Sequence, residues 1–122
     1  MAEKLQAVQD RLSELTDEQL TTEFTAESVR VKTLDNEPSN TIKLQLYGLF
    51  KQANEGDNKS EQPGIFSPKP RAKWNAWTEY EGLNTRDAQT KYIVLVKILF
   101  GEIVEDDKEE DDKEEEEEEQ KE

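Results

Sequence analysis

The chain of 122 residues contains no cysteine and no histidine. It therefore has no disulfide bond and no thiolate nucleophile, and it lacks the commonest general base and metal ligand of proteins. The longest apolar run, residues 92–100, is interrupted by Lys97 and is far shorter than the roughly 20 residues of a membrane span. The N-terminus lacks the apolar core of a signal peptide. We expect a soluble, cytoplasmic protein that is not an enzyme, with no metal site and no stable membrane insertion.

Negative charge is concentrated at the C-terminus. Residues 105–122 contain 14 acidic and 3 basic residues, a net charge of −11, whereas the whole chain carries −14. Runs of like charge of this kind stay solvated, so we expect a disordered acidic tail. Such a tail can hold Ca²⁺ loosely but lacks the ligand spacing of a defined site. Binding to nucleic acid or to an anionic membrane is disfavoured overall, although a local basic site is compatible with this balance.

Apolar residues recur at helical spacing along the rest of the chain, which predicts an all-α fold. The predicted helices cover residues 3–15, 23–34, 40–54, 70–80 and 84–103. The β-branched segment 92–100 has strand-like composition, but the Asn84 and Asp87 capping pattern and the absence of a partner strand favour a helix. Trp74 and Trp77 are predicted to be core anchors rather than ligand contacts. The loop 55–69 is long for so small a domain, and long ordered loops are usually functional.

Two aromatic rings and an ammonium share one face of the third predicted helix. Tyr47, Phe50 and Lys51 are three and four residues apart and are therefore neighbours on its surface. Lys73 comes from the helix beyond the loop. Convergence of a phenol, a second ring and two cations predicts a site for an aromatic base that bears phosphate groups.

The residues around this cluster resemble the acyl-CoA-binding protein family over residues 23–104, without a gap. The matching pieces are Tyr47–Ala53 (YGLFKQA), Gly56-Asp57, Pro63-Gly64, Ala72–Trp77 (AKWNAW), Gly82, Asp87-Ala88 and Tyr92-Ile93. The resemblance implies a four-helix bundle of up-down-down-up arrangement. It also implies a carrier or pool former that binds long-chain acyl-CoA thioesters as its ligand, with no cofactor and no chemistry on the ester.

The resemblance assigns roles to individual residues. Tyr47, Lys51 and Lys73 match the phenol and two lysines that grip the ribose 3′-phosphate of coenzyme A. Phe50 stands where the family usually has a tyrosine that packs on the adenine, so a ring remains but its hydroxyl is missing. The remaining matches lie near the ligand: Lys32 on the first family helix, Tyr92 at the edge of the site, and Lys43, which replaces an apolar residue near the acyl path. The changes at Phe50 and Lys43 leave open a second interpretation, a non-binding interaction module whose acidic tail recruits a basic partner.

Two features lie outside the family pattern. One is an N-terminal extension, residues 1–22, whose helix carries an apolar stripe; the other is the apolar surface that Val94, Leu95 and Ile98 add to the last helix. We expect the extra helix to dock on that surface, so that each covers the other. A homodimer through the last helix is the alternative to a monomer. The predicted organisation is thus an extension (1–22), a binding domain (23–104) and an acidic tail (105–122).

Overall fold

The structure, a computed structural model, describes residues 2–103, so the prediction of a disordered tail at 105–122 lies outside the described residues. Five α-helices account for most of this part of the chain: α1 Ala2–Ser13, α2 Asp17–Arg30, α3 Asn40–Glu55, α4 Pro68–Thr78 and α5 Thr85–Leu99. A short 3₁₀ turn, Val31–Thr33, follows α2. Residues 2–103 contain no strand, and the all-α prediction is confirmed. Among these helices, none combines the length and the apolar content needed to cross a bilayer.

The predicted start of the second helix at Glu23 is wrong, because α2 begins six residues earlier, at Asp17. A capping box starts it: the Thr16 hydroxyl accepts from the Gln19 amide at 3.1 Å, and the Gln19 side chain accepts from the Thr16 amide at 2.9 Å. These bonds satisfy amides that have no partner within the helix. The predicted division at residue 22 therefore falls inside α2, and the domain limits remain a prediction.

The predicted end of the last helix at Ile103 is also wrong, because α5 stops at Leu99. Gly101 has φ of 78°, a left-handed conformation that glycine adopts without a Cβ penalty. The Gly101 amide donates to the Ile98 carbonyl and the Glu102 amide to the Lys97 carbonyl, both at 2.9 Å, which is a Schellman motif. The chain turns back at this point, and Ile103 is buried.

Contacts between side chains fix the helix directions. α2 and α5 run parallel, since Gln89 donates to Thr21 near their starts and Arg30 donates to Glu102 near their ends. α3 runs antiparallel to α5, because Gln52 at its end contacts the Leu83 carbonyl, which precedes α5. The core lies mainly between these three helices, and α1 adds Leu12 to it. Its buried apolar residues are Leu12, Leu20, Phe24, Leu49, Ala53, Ala88, Tyr92, Ile93 and Val96.

The N-terminal helix α1 packs against α5 and contributes to the core. Leu12 is 0% exposed, and Val94 and Leu95 of α5 are partly buried against the same cluster. The Arg86 guanidinium of α5 donates to the Leu12 carbonyl at the end of α1 at 3.3 Å. Arg11 adds a two-pronged ion pair with Glu23 of α2, at 3.0 and 2.8 Å. The structure thus shows α1 packed on α5, while the cluster does not include Ile98, so its part in the predicted docking surface remains a prediction.

Candidate ligand-binding site

A close approach of α3 to α4 positions the candidate site. A Cβ placed on Gly48 would lie 2.4 Å from the Ala76 carbonyl oxygen and 2.8 Å from the Tyr80 ring. Only glycine therefore allows the two backbones to come this close. Gly48 follows Tyr47 directly, so the contact sets the distance from Tyr47 to the side chains of α4.

The two lysines predicted to bind phosphate lie at this junction. Lys73 Nζ lies 5.5 Å from the centre of the Tyr47 ring, and Lys51 Nζ lies 4.8 Å from the centre of the Trp77 ring. Lys51 is one helical turn after Tyr47 on α3, and Trp77 is one helical turn after Lys73 on α4. Because the contacts follow the same order along both helices, α3 and α4 run parallel. This agrees with the up-down-down-up arrangement, and it places both ammonium groups over aromatic rings at the same helix junction. Cation–π contacts of this kind contribute about 0.5–1 kcal/mol at exposed sites.

The two ammonium groups differ in their partners. Lys51 donates to Glu55 at 2.5 Å, and this hydrogen bond raises the pKa of Lys51 above its ordinary value. Lys73 forms no ion pair within the part of the chain that the structure describes. Among the described residues, Lys73 is therefore a cation without a paired carboxylate, whereas Lys51 is paired with Glu55. Lys43 resembles Lys51 in this respect, since it forms an ion pair with Glu37.

Three aromatic rings form the second part of the site. The Phe50 ring stacks on Phe24 with 5.7 Å between centroids and lies 6.1 Å from Tyr92, and Tyr92 meets Phe24 edge to face at 5.0 Å. Phe50 nevertheless remains 40% exposed, so one of its faces is available to a ligand. Tyr92 is 4% exposed and lies beneath it, and burial raises the pKa of the Tyr92 phenol.

Two grooves meet at Tyr47. The first, the α2–α3 groove, has a volume of about 360 Å³ and is lined by Ser28, Val31, Lys32, Lys43, Leu46, Tyr47, Phe50 and Tyr92. The second, the α4–loop groove, has a volume of about 390 Å³ and is lined by Tyr47, Ser60, Glu61, Pro63, Lys69, Pro70, Lys73, Trp74 and Trp77. Six of the seven predicted site residues line one of the grooves, and the seventh, Lys51, lies over the Trp77 ring. Tyr47 belongs to both grooves.

The prediction that the two tryptophans are core anchors needs correction. Trp74 and Trp77 are half-buried, lie outside the core cluster and line the α4–loop groove. The Trp74 indole N–H donates to the Ser60 carbonyl at 3.0 Å, and that of Trp77 donates to the Gly56 carbonyl at 2.8 Å. These bonds attach the long loop to α4, and the indole faces form a wall of the groove.

The end of α3 is held by hydrogen bonds that the sequence did not predict. The Gln52 amide donates to Asp57 and to the Leu83 carbonyl, each at 2.9 Å, and Asp57 also accepts from the Gly82 amide at 2.8 Å. The Gly82 bond, and secondarily that of Gln52, lowers the pKa of Asp57. The sequence contains one indication of these bonds, because Gln52 is a polar residue next to the apolar Ala53, at a buried position of α3.

The chain matches known proteins over the region that carries this geometry. The family profile described as "Acyl CoA binding protein" matches residues 21–96. Acyl-CoA-binding protein homolog 1 of Caenorhabditis elegans is 46% identical over 83 residues, which cover 68% of this chain and 96% of the relative. The chain belongs to the acyl-CoA-binding protein family.

Other relatives within the family agree in sequence and in fold. The acyl-CoA-binding protein of Fritillaria agrestis is 46% identical over 80 residues, covering 66% of this chain and 92% of the relative. The crystal structure of Oryza sativa acyl-CoA-binding protein 2 superposes with a TM-score of 0.66 at 44% identity, covering 69% of this chain and 91% of that one. The acyl-CoA-binding protein from Moniliophthora perniciosa gives a TM-score of 0.63 at 28% identity, covering 66% of this chain and 80% of that one.

Proposed function

We propose that this protein binds long-chain acyl-CoA esters and acts as a cytoplasmic carrier or pool former, without catalysing a reaction on them. The observation that carries the proposal is the position of Tyr47, which joins a groove with an available aromatic face to a groove with lysines and apolar walls. Coenzyme A esters present the matching groups, namely an adenine, several phosphates and an apolar tail. Membership of the family supports the same ligand class.

In the α2–α3 groove, we propose that the adenine stacks on the exposed face of Phe50. Stacking of a base on an aromatic side chain contributes roughly 1–3 kcal/mol in nucleotide-binding sites. Tyr92 and Phe24 hold the Phe50 ring from behind, so little side-chain freedom is lost when the base binds. Lys32 lines the same groove and supplies positive charge around the nucleotide. Lys43 lines it as well, so this arrangement places Lys43 near the nucleotide and not near the acyl path, where the resemblance puts it.

At the helix junction, the 3′-phosphate contacts the Tyr47 hydroxyl and the ammonium groups of Lys73 and Lys51. Charge-assisted hydrogen bonds to phosphate are roughly twice as strong as neutral ones, and Lys73 has no competing carboxylate among the described residues. The acyl tail then shelters in the α4–loop groove against Trp74 and the ring atoms of Pro63 and Pro70. Each buried methylene contributes about 0.8 kcal/mol.

Calorimetric titration with palmitoyl-CoA tests the proposal, with palmitate and free coenzyme A as controls. We expect the ester to bind much more tightly than either of its parts, because only the ester occupies both grooves. If palmitoyl-CoA produces no binding heat, the non-binding interaction module is favoured instead.

A further inference from the structure

The end of the described part of the chain lies beside the α2–α3 groove. Ile103 is buried, and the Glu102 carboxylate before it accepts from the two terminal nitrogens of the Arg30 guanidinium, at 2.7 and 3.0 Å. Arg30 is the last residue of α2, and Lys32, two residues later, lines the groove. The acidic tail, residues 105–122, therefore leaves the described part of the protein near the α2 side of this groove.

The α2–α3 groove offers positive charge and no negative charge of its own. Its lining includes Lys32 and Lys43 but no aspartate or glutamate. Lys43 is paired with Glu37, whereas Lys32 is exposed and forms no ion pair within residues 2–103. A carboxylate that reaches Lys32 therefore gains a partner without displacing another one.

The acidic tail has the charge and the length to supply that carboxylate. Residues 105–122 carry −11 of the chain's net charge of −14, and they include six consecutive glutamates, Glu114–Glu119. An extended chain spans up to about 3.3–3.6 Å per residue, so a segment of this length reaches across a small domain. Because the tail belongs to the same chain, its effective concentration at the groove is on the order of millimolar.

We propose that the acidic tail lies against the α2–α3 groove in the ligand-free protein, with its carboxylates around Lys32. Residues 105–122 include no apolar side chain that could cover the exposed face of Phe50, so charge alone holds the contact. Contacts of this kind are weak and are screened by salt. The consequence for the ligand rests on the proposed function: the tail competes with the phosphates of an acyl-CoA ester for Lys32. The apparent affinity for the ester then falls in proportion to the fraction of grooves that remain free.

Paramagnetic relaxation measurements on the full chain test the contact without any acyl-CoA. The chain has no cysteine, so Glu118→Cys gives a single attachment point for a nitroxide spin label. We expect the label to broaden the amide signals of Val31–Thr33 at about 20 mM salt, where the Debye length is roughly 20 Å. The broadening should disappear at about 500 mM salt, where that length is roughly 4 Å. Lys32→Gln should reduce it at least twofold at low salt, whereas Lys91→Gln, at an exposed lysine of α5, should not.

Calorimetry with palmitoyl-CoA tests the competition. One variant replaces Glu114–Glu117 of the tail by glutamine, and its matched control replaces four exposed glutamates elsewhere, Glu14, Glu18, Glu79 and Glu81. At about 20 mM salt, we expect the tail variant to bind the ester about threefold or more tightly than wild type, because more grooves are free. The control should differ from wild type by less than about twofold. At about 500 mM salt, the tail variant and wild type should have equal affinities.

Several results would overturn the inference. Absence of broadening at low salt does so, and so does broadening that persists at high salt or in Lys32→Gln, since it reports only the attachment of the tail. Broadening in a ¹⁵N-labelled chain without nitroxide, mixed with a spin-labelled chain, assigns the contact to a second copy. If wild type binds palmitoyl-CoA and the tail variant binds it equally at low salt, the competition is refuted. Salt-sensitive broadening without any palmitoyl-CoA binding would support the contact and refute the proposed function.

Discussion

Lys73 Nζ of α4 lies 5.5 Å from the centre of the Tyr47 ring of α3, and Tyr47 is one helical turn before Lys51. The second ammonium lies over Trp77, one turn after Lys73. The parallel course of α3 and α4 thus brings two cations and a phenol to one junction. This relationship carries the proposed function, and most of the predictions below change one of its parts.

We predict that Lys73→Ala lowers the affinity for palmitoyl-CoA by about 1–3 kcal/mol, the range for a hydrogen bond to a charged group. The matched control is Lys91→Ala, since Lys91 is an exposed lysine on α5 that lines neither groove. Both variants should retain the wild-type melting temperature. Equal calorimetric affinities of the two variants would contradict the role of Lys73.

We predict that Gly48→Ala lowers both stability and affinity. The new methyl group would overlap the Ala76 carbonyl and force α3 and α4 apart, at a cost of about 1–3 kcal/mol of unfolding free energy. The same movement separates Tyr47 from Lys73. Gly64→Ala is the control, because a Cβ on Gly64 meets no atom within 4 Å. Denaturant unfolding and calorimetry of the two variants test this, and a fully stable Gly48→Ala protein would contradict the packing argument.

We predict opposite effects from two substitutions of Phe50. Phe50→Ala removes the stacking surface and should weaken palmitoyl-CoA binding by roughly 1–3 kcal/mol. Phe50→Tyr keeps the ring and adds a hydroxyl, so affinity should be equal or higher, by on the order of 1 kcal/mol if a hydrogen bond forms. Because the ring also packs on Phe24 and Tyr92, the melting temperature of each variant must accompany its affinity. Unchanged affinity in a folded Phe50→Ala protein would place the base elsewhere.

We predict that stability falls as the pH drops below about 4.5, the ordinary pKa of a glutamate side chain. The hydrogen bond from Arg30 lowers the pKa of Glu102, and that from Arg11 lowers the pKa of Glu23. A carboxylate whose pKa is depressed by folding stabilises the native state above its unfolded pKa. That stabilisation is lost as the pH falls through the folded value.

Melting temperatures measured from pH 7 down to pH 3 test this dependence. Glu102→Gln should melt lower than wild type at pH 7 and lose less on acidification, because one of the titrating groups is gone. Glu61→Gln serves as the control, since Glu61 is exposed and forms no ion pair within the described residues. Parallel pH profiles for wild type and Glu102→Gln would show that the Arg30 pair contributes nothing.

We predict that removal of α1 destabilises the bundle. Leu12 is fully buried against the core cluster, and truncation of such a leucine to alanine costs about 2–5 kcal/mol. Deletion of residues 1–15 should lower the melting temperature or cause association through α5, while palmitoyl-CoA binding persists. This deletion keeps Thr16 and hence the capping box of α2, whereas deletion of residues 1–18 removes both. A monomeric protein that melts unchanged after the shorter deletion would contradict the docking of α1.

The sequence was sufficient to predict the helical fold, whereas the binding roles of the site residues remain a prediction. Helical periodicity located the apolar faces of α3 and α5, and Ser39 and Asn84 cap these helices as expected. The aromatic and lysine spacing placed Tyr47, Phe50 and Lys51 on one face, and the structure brings Lys73 to it.

Other features depend on tertiary contacts that spacing alone does not reveal. The start of α2 depends on the reciprocal hydrogen bonds between Thr16 and Gln19, which the spacing of apolar residues does not reveal. The tryptophans were taken for core residues because of their size, but their indole N–H groups attach the loop to α4. Phe66 is 93% exposed in a turn that the Ser67 amide closes by donating to the Gly64 carbonyl. The apolar character of the residue alone does not predict this exposure.

The most direct test combines a change in the ligand with a change in the protein. Palmitoyl-CoA and its 3′-dephospho form are titrated by calorimetry into wild type and into Lys73→Ala. We predict that wild type loses affinity when the 3′-phosphate is absent, and that Lys73→Ala then causes little further loss, because the two groups contact each other. Equal affinity of wild type for both ligands, or fully additive losses, would contradict the proposal that Tyr47, Lys51 and Lys73 grip that phosphate.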